Sequence, residues 1–399
     1  MRDMAGCYGK EKKMSASKRK KKKHRIIIFT VEIMLLFIVL GCLFVWAKFQ
    51  KLDRQPDMIG TEDIVNEDMD ESVQEVLKGY TNVALFALDN RSNGSFSAGN
   101  SDVIMIASIN NDTKEVRLIS VFRDTFLNVS SDSTMNFRKA NYAYNKGGAE
   151  EAVRMLNRNL DLDIQDYVVV DFQAVTEAID LLGGVEVEID SAEAKWMDFY
   201  INETAQVTGH EANSITQPGV YTLDGVQATS YCRIRYTAGD DFKRAQRQRE
   251  IISKMVEKAK KSDILTINKI IDSVLDDIST NFTAGEMISL ASQLMNYELA
   301  DTTGFPFQLT TANLGGSKGS VVIPCDLVTN VTSLHKYLFN DYNYTPSNTV
   351  TSLSEAIISE TGKGADDAEE TGVEADQYTK GSKADASTSD TSVSDTAAQ

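Results

Sequence analysis

A basic run that leads directly into a long apolar stretch, near the start of the chain, constrains this sequence more than any other feature. Residues 18–25 are Lys, Arg and one His, and the 22 residues 26–47 carry a single charge, Glu32. At about 1.5 Å per residue, a helix of this length crosses a hydrocarbon core of roughly 30 Å. The stretch therefore predicts one transmembrane helix.

The same stretch predicts on which side of the membrane the rest of the chain lies. Cytoplasmic flanks carry an excess of Lys and Arg, so residues 1–25 are expected inside and everything after about residue 48 outside. A cleaved signal peptide has an apolar core of roughly 7–15 residues and a small-residue cleavage site, and neither is present. An uncleaved signal anchor in a cell membrane is therefore indicated. A nucleic-acid patch is the alternative for the basic run, and the adjoining apolar stretch argues against it.

Charge is distributed very unevenly along the chain. Residues 1–25 contain eleven Lys and Arg against two acids, whereas the whole 399-residue chain has a net charge of -17. The body after the apolar stretch is thus strongly acidic and is repelled by phosphate backbones. Nucleic acid is therefore not expected as a partner, and any anion that the body binds must be held locally.

Composition divides the rest of the chain into three parts. Residues 48–79 are rich in Asp, Glu and Gln, and a solvated stalk is expected there. Residues 80–345 mix apolar and polar residues as a soluble fold does. Residues 346–399 are dominated by Ser, Thr, Asp, Glu, Ala and Gly, which predicts a disordered acidic tail.

Short apolar strands and amphipathic helices alternate within residues 80–345. Near-continuous apolar strands indicate a sheet that is buried on both faces. The fold class expected is α/β: a central mixed, mostly parallel sheet covered by helices in three α/β/α layers, after one transmembrane helix. The strands expected are 81–88, 102–109, 115–121 and 167–172, and the helices expected are 148–159, 172–182, 241–260, 264–278 and 284–297.

The four cysteines form no CxxC pair and no Cys/His cluster with zinc-ligand spacing. Only Cys232 and Cys325 lie in the predicted outer body. One disulfide between them is an alternative, and two free thiols are the favoured interpretation.

The segment 231–248 concentrates arginines in a pattern that favours anion binding. If residues 231–236 form a strand, Arg233 and Arg235 point to one face because side chains alternate. If a helix follows, Asp241, Arg244 and either Arg247 or Gln248 lie on one stripe. Guanidinium groups bind phosphate oxygens bidentately, so these cations predict a site for a doubly charged anion. A solvated, salt-bridged helix face is the alternative.

Further candidates follow three of the expected strands. Asp89 and Arg91 follow the first strand and Asp102 opens the second, where carboxylates are placed to hold a cation such as Mg²⁺ beside phosphates. Arg123 and Asp124 end the third, with Lys139 shortly after.

In this order, after a signal anchor, the motifs resemble those of the LytR-CpsA-Psr family of cell-wall ligases. The resemblance covers about residues 80–260. It rests on Asp89/Arg91, Asp102, Arg123-Asp124, Lys139/Asn141, Gly147-Gly148, the run 180–185, Leu223-Asp224-Gly225, Arg233/Arg235, Asp241, Arg244 and Arg247-Gln248.

The resemblance implies an exported phosphotransferase of a Gram-positive-type cell envelope. Such enzymes take a glycopolymer, for example teichoic acid or capsular polysaccharide, from a polyprenyl pyrophosphate carrier and attach it to peptidoglycan through a phosphodiester. It further implies that Mg²⁺ or Mn²⁺ is held by Asp89 and Asp102. The pyrophosphate-binding residues implied are Arg91, Arg123, Lys139, Arg233, Arg235, Arg244, Arg247 and Gln248. The catalytic set expected is Arg123, Asp124, Arg233, Arg235, Asp241 and Arg244.

Phosphoryl transfer depends on positioning and charge neutralisation, which arginines and a metal ion supply. Asp124, Asp240 and Asp241 all remain candidates for the general base. The lipid is expected in an apolar tunnel between the sheet and the helices. Two departures from the family pattern are Phe122, where Pro is usual, and Cys232, where Val or Ala is usual.

Other functions remain as alternatives. A non-catalytic, regulatory protein that binds lipid-linked glycan is one, because Phe122 could alter the aim of Arg123. A pyrophosphatase that uses water as the acceptor is another. A DNA-binding regulator requires a cytoplasmic body, against the charge pattern. Ser333 and Lys336 fit the Ser-x-x-Lys pattern of penicillin-recognising enzymes, but no Ser-Asp-Asn or Lys-Thr-Gly follows.

Overall fold

Strands whose side chains are buried alternately on two faces form the centre of the fold. The computed structural model describes residues 53–54, 65–88, 96, 99–130, 134–236 and 240–369. Seven strands form the central sheet, in the order β1-β10-β7-β2-β3-β4-β11. Their bounds are β1 Asp53–Arg54, β2 Tyr80–Leu88, β3 Ser101–Asn110, β4 Glu115–Val121, β7 Asp166–Asp171, β10 Ile278–Thr280 and β11 Glu298–Phe305.

The directions of these strands correct the prediction of a mostly parallel sheet. Strand β2 pairs parallel with β7, and β4 pairs parallel with β11. The pairs β2–β3, β3–β4 and β7–β10 are antiparallel. Strands β2, β3 and β4 follow one another along the chain, and short connections join antiparallel neighbours, whereas parallel strands need a long crossover. The sheet is therefore mixed, without a parallel majority.

Helices and the remaining short strands surround this sheet. The strands form three two-stranded sheets: β5 (Phe126–Asn128) with β6 (Phe137–Lys139), β8 (Val185–Ile189) with β9 (Gly219–Leu223), and β12 (Leu309–Asn313) with β13 (Ser320–Pro324). The helices are α1 Glu71–Leu77, α2 Asn141–Leu160, α3 Phe172–Leu181, α4 Ser191–Thr208, α5 Gly225–Tyr231, α6 Asp240–Lys261, α7 Ile264–Val274, α8 Ala284–Ser292, α9 Leu327–Phe339 and α10 Asn348–Thr361.

Both faces of the sheet are covered, as the sequence predicts. On one face, Phe86 and Ile104 are buried in the same core as residues of α2, α9 and α10. On the opposite face, Leu85 and Val103 line a cavity together with residues of α3, α4 and α6. Because side chains alternate along a strand, neighbouring residues serve the two layers. The α/β class with three layers is confirmed.

The folded body is longer than the predicted domain 80–345. At its start, α1 buries Val73 and Leu77 in the main core, although residues 48–79 are predicted to be a stalk. At its end, α10 buries Val350, Leu353 and Ile357 in the same core, although a tail is predicted from residue 346. Apolar residues at helical spacing bury one face even where the segment is polar on average. Both predicted boundaries are corrected to include these helices.

The remaining sequence predictions are met to different degrees. The four predicted strands and five predicted helices all exist, with boundaries shifted by a few residues or, for α2, extended past the turn at Gly147 and Gly148. Cys232 and Cys325 are free thiols, as favoured. The predicted membrane span, residues 26–47, lies outside the described residues. Within the described ranges, no helix is both long enough and apolar enough to cross a membrane.

Candidate functional site

The end of β4 places Arg123 beside the first turn of α6. The Phe122 N–H donates to the Phe305 carbonyl at 3.0 Å, which continues the pairing of β4 with β11 by one residue. The Phe122 ring is buried and packs edge-on against Phe242 of α6, with 4.7 Å between ring centroids. A Cβ at Gly304 would lie 2.4 Å from the Phe122 Cζ, so this ring position depends on glycine there. Phe122 thus joins the strand that carries Arg123 to the helix that carries Asp241 and Arg244.

Three arginines and two aspartates converge at this junction; we call them the arginine cluster: Asp102, Arg123, Arg235, Asp241 and Arg244. The Arg123 Nη1 lies 2.5 Å from the Asp102 Oδ1. The Asp241 Oδ1 lies 3.0 Å from the Arg244 Nη2, 3.6 Å from the Arg235 Nε and 4.0 Å from the Arg123 Nη2. One carboxylate therefore holds three guanidinium groups together, and the cluster keeps an excess of positive charge.

The arginine cluster is partly desolvated, which increases its affinity for an anion. The Arg244 side chain is 8% exposed, and burial lowers the pKa of its guanidinium. The Nε atoms of Arg123 and Arg244 are buried and make no hydrogen bond within the described part of the chain. Buried donors without an acceptor are costly, and phosphate oxygens would satisfy them. The geometry therefore favours a phosphate-bearing ligand.

Lys139 and Asp124 form a second ion pair next to the cluster. The Lys139 Nζ lies 3.2 Å from the Asp124 Oδ2, and the Arg123 Nε lies 3.8 Å from the Asp124 Oδ1. Strand β6 positions Lys139 and the loop after β4 positions Asp124. Both predicted site residues thus lie within reach of Arg123.

Arg233 and Gln248 lie further along the same wall. The Arg233 Nη2 contacts the Glu203 Oε2 at 3.2 Å and its Nη1 donates to the Thr204 Oγ1 at 2.8 Å. Its guanidinium lies 5.1 Å from the centroid of the Phe172 ring. The Gln248 Nε2 donates to the Cys232 carbonyl at 3.3 Å. Both residues line the cavity next to the cluster.

Arg247 does not join them, contrary to the predicted pyrophosphate set. Its side chain is 4% exposed, and its Nε lies 2.8 Å from the Glu193 Oε1 of α4. Its Nη1 donates to the Ile234 carbonyl at 3.1 Å. Arg247 therefore connects α6 to α4 and to the segment that carries Arg233 and Arg235.

The segment 231–236 is not the strand predicted for these arginines. Helix α5 ends at Tyr231, and Arg233 and Arg235 follow it in a turn. The Arg233 N–H donates to the Ser230 carbonyl at 3.0 Å. Only Tyr231 of the predicted strand belongs to α5, and the residues that follow it form no strand.

Two cavities meet the site from different sides. The apolar cavity has a volume of about 470 Å³ and lies between the sheet and α3, α4 and α6. Its charged lining residues and one amide are Asp102, Glu203, Arg233, Arg235, Arg244 and Gln248. The polar cavity has a volume of about 440 Å³ and is lined by Asn100, Arg123, Asp124, Arg138, Lys139, Asn141, Tyr142 and Ser317. The two cavities share the arginine cluster, because Arg123 in one is paired with Asp102 in the other.

Only one of the two predicted metal ligands, Asp102, lies in the described part of the chain. Asp89, like the predicted anion ligand Arg91, lies outside the described residues. Asp102 supplies a carboxylate, the donor type that Mg²⁺ prefers, beside the cations of the cluster. Among the described residues, no group of three His, Cys, Asp or Glu side chains is placed to hold a metal ion.

Sequence reasoning missed several residues that line the cavities. Arg138 and Ser317 lie on the polar cavity, and Glu203, Tyr200 and Tyr236 lie on the apolar one. Arg138 adjoins the predicted Lys139, so its position in the sequence could have identified it as a site residue. Tyr236 likewise adjoins Arg235, whereas Ser317, Glu203 and Tyr200 are brought to the site only by the fold.

The fold and the site together define a class: an α/β protein with an arginine cluster between an apolar and a polar cavity. The LytR_cpsA_psr family model matches residues 49–317 of this chain, and the chain belongs to that family.

The individual relatives have low sequence identity to this chain. Polyisoprenyl-teichoic acid–peptidoglycan teichoic acid transferase TagV of Bacillus subtilis is 27% identical over 251 residues, which are 62% of this chain and 61% of TagV. Biofilm regulatory protein A of Streptococcus mutans is 32% identical over 191 residues, which are 46% of this chain and 45% of that protein. The chain thus spans less than two thirds of the length of either. A crystal structure of a Streptococcus agalactiae protein is similar with a TM-score of 0.55 at 25% identity, covering 70% of this chain and 94% of that one.

Proposed function

We propose that this protein is a membrane-anchored phosphotransferase that moves a glycopolymer from a polyprenyl pyrophosphate carrier to peptidoglycan. The observation that carries the proposal is the arginine cluster, which lies between an apolar cavity and a polar one. A lipid pyrophosphate has this same order of parts: an apolar chain, a charged centre and a polar glycan. The name of the TagV relative, a teichoic acid transferase, supports the same reaction class.

The lipid chain is assigned to the apolar cavity and the pyrophosphate to the cluster. Arg235 and Arg244 border the apolar cavity, and Arg123 faces the polar one. Guanidinium groups on both sides of the pyrophosphate neutralise the charge that develops as the bond to the leaving phosphate lengthens. Arg233 and Gln248 extend the same wall toward the lipid.

The transfer is a displacement at the phosphorus next to the glycan. A hydroxyl oxygen of the peptidoglycan acceptor forms the new P–O bond, the bond to the polyprenyl phosphate breaks, and a base takes the hydroxyl proton. Of the two candidate bases whose side chains the structure describes, Asp124 is better placed than Asp241, because it lines the polar cavity and is held by Lys139 at 3.2 Å. Asp241 is already surrounded by three arginines, and its role is to position them.

A divalent metal ion, Mg²⁺ or Mn²⁺, is part of the proposal. Asp102 would hold it, together with Asp89. When bound, the ion would supply further positive charge to the pyrophosphate oxygens. The Arg123 contact to the Asp102 Oδ1 keeps this carboxylate at the edge of the cluster.

The proposed location follows from the sequence. Residues 26–47 would anchor the chain as a single-pass membrane protein with residues 1–25 in the cytoplasm and the folded body outside. This places the body where both lipid-linked glycan and peptidoglycan occur in a Gram-positive-type envelope.

The test compares four forms of the full-length protein in detergent. Wild type, Arg123→Ala, Arg244→Ala and the control Arg154→Ala receive a polyprenyl-pyrophosphate oligosaccharide, Mg²⁺ and a peptidoglycan oligomer. Arg154 pairs with Glu150 on α2, away from the site residues. We expect wild type and the control to form a phosphodiester-linked product by mass spectrometry, and the two site variants to lose about 10²–10³-fold in rate.

Two other outcomes would reject the transferase. Lipid bound by wild type without any product would establish a binding or regulatory protein, which the similarity to biofilm regulatory protein A also suggests. Polyprenyl phosphate released equally fast with and without the peptidoglycan oligomer would establish a pyrophosphatase.

A further inference from the structure

The outer wall of the polar cavity contains a cation that the proposed transfer does not use. Arg138 lies on β6 between Phe137 and Lys139. Phe137 is buried and packs on Phe126, with 5.7 Å between ring centroids, and this fixes the β5–β6 hairpin. Side chains alternate along a strand, so Arg138 is held on a different face from Phe137. Its position is therefore set by a buried neighbour.

The charge balance of the cavity distinguishes Arg138 from the other two cations. Arg123 is paired with Asp102, and Lys139 is paired with Asp124. Arg138 donates to the neutral Ser317 Oγ and forms no ion pair with any described residue. In a chain with a net charge of -17, a guanidinium that lines a cavity and has no acidic partner among the described residues is suited to bind an anionic ligand.

The partner of Arg138 is also held firmly to the site. Ser317 lies in the connection between β12 and β13. The Val322 N–H of β13 donates to the Asp124 carbonyl at 2.9 Å. Next to Ser317, Lys318 forms an ion pair with Glu360 of α10. The two walls that carry Arg138 and Ser317 are thus fixed to the loop that carries Asp124.

We propose that Arg138, with Ser317, binds an anionic group on the sugar side of the substrates, and that the protein therefore prefers charged to neutral glycans. The inference rests on the proposed function and adds the substrate class. The group is a phosphate or carboxylate and belongs either to the donor glycan or to the peptidoglycan acceptor. Both sources share the chemistry that a guanidinium and a hydroxyl recognise.

The experiment uses matched substrate pairs with the full-length protein. Two polyprenyl-pyrophosphate oligosaccharides differ only in a terminal phosphate, and two peptidoglycan oligomers differ only in free or amidated carboxyl groups. Wild type, Arg138→Gln, Arg138→Lys and the control Arg154→Gln are compared in kcat/KM. We expect the kcat/KM for the charged substrate, divided by that for the neutral one, to fall about tenfold in Arg138→Gln. The ratio should be partly restored in Arg138→Lys and unchanged in the control.

The donor and acceptor arms identify the source of the anionic group, since only one pair should show the change. An equal ratio in wild type and Arg138→Gln for both pairs would overturn the inference. If wild type forms no product at all, the proposed function fails, and the Kd values of the two donors and of the two peptidoglycan oligomers, measured by calorimetry, then decide. A preference for the charged member of either pair that Arg138→Gln abolishes would still support the subsite, and equal Kd values within both pairs would reject it.

Discussion

Arg244 and Arg247 lie one turn apart on α6, yet the structure gives them different roles. Arg244 faces the cluster with Asp241, whereas Arg247 is buried against Glu193 of α4. Residues three apart share a helix face, so spacing alone places both in one site. The difference arises from Glu193, which is 54 positions away in sequence.

Substitution by alanine should separate these two arginines. Arg247→Ala leaves the Glu193 carboxylate buried without its partner, and we expect the free energy of unfolding to fall by about 3–5 kcal/mol. In Arg244→Ala the partly exposed Asp241 retains Arg235, so we expect a loss of about 1 kcal/mol together with a large loss of transfer activity. Denaturant unfolding and the transfer assay measure both effects. Similar stability losses in the two variants would contradict the assignment.

Most residues of the site could be predicted from the sequence, and some could not. Arg123, Asp124, Lys139, Arg235, Asp241 and Arg244 are brought together as expected, because each adjoins the end of a strand or helix. Arg138 and Ser317 were missed, since no local motif marks a residue whose neighbour comes from a distant hairpin. Phe122 stands where the family usually has Pro, and only the fold shows that its ring packs against Phe242.

At the scale of elements, helix α5 decides where Arg233 and Arg235 lie. Asp224 caps its first turn and accepts from the Gln227 N–H at 2.8 Å. A capping box at these positions was a sequence signal for a helix. The strand prediction for residues 231–236 failed because the alternation of Arg233 and Arg235 with Ile234 also fits an irregular segment in which Ile234 is buried.

A glycine at the start of α5 allows this helix to pack closely on α3. A Cβ at Gly225 would lie 2.1 Å from the Thr176 carbonyl oxygen, which belongs to the backbone and cannot rotate away. We expect Gly225→Ala to lower the free energy of unfolding by about 2–3 kcal/mol. Gly285→Ala in α8 is the matched control, because a Cβ there would lie 3.9 Å from the Thr283 Oγ1, an ordinary van der Waals contact.

The control should be neutral or stabilising by up to about 1 kcal/mol, since alanine is the better helix former. Thermal unfolding of both variants checks the comparison. A Gly225→Ala protein as stable as wild type would mean that α5 and α3 separate more easily than their contact implies.

At the scale of the whole molecule, a buried group of polar side chains joins the two ends of the body. Asp161 is fully buried and accepts from the Asn66 Nδ2 at 2.6 Å, the Tyr344 hydroxyl at 2.5 Å and the Ser347 Oγ at 2.7 Å. The His335 ring stacks on Tyr344, with 3.8 Å between centroids. Composition predicted a stalk and a tail at these ends, because the stabilising contacts are between residues far apart in sequence.

His335 should make the stability of the body depend on pH. Burial lowers the pKa of His335 to about 4, despite the opposing Leu160 carbonyl, Asp161 and Asp341. The native state therefore disfavours the charged ring, and its contribution to stability is present above pH 6.5 and is lost as pH falls toward 4. We expect the difference in unfolding free energy between wild type and His335→Gln to fall by about 2–3 kcal/mol from pH 7 to pH 4.

Denaturant unfolding at a series of pH values measures this difference. His210→Gln is the control, since His210 is more exposed and lies 3.9 Å from Asp180 on a different part of the body. A constant difference for His335→Gln across the range would show that the pKa of His335 is the same in the folded and unfolded states, and would contradict the prediction.

The junction at Asp161 has a mechanical consequence. Tension that enters the body through Asn66 passes first to Asp161, and from there to the segment 344–347 that begins α10. None of these contacts belongs to the strand end or the helix that carries the arginine cluster. A pull applied at Asn66 would therefore strain this junction before it distorts the arginine cluster.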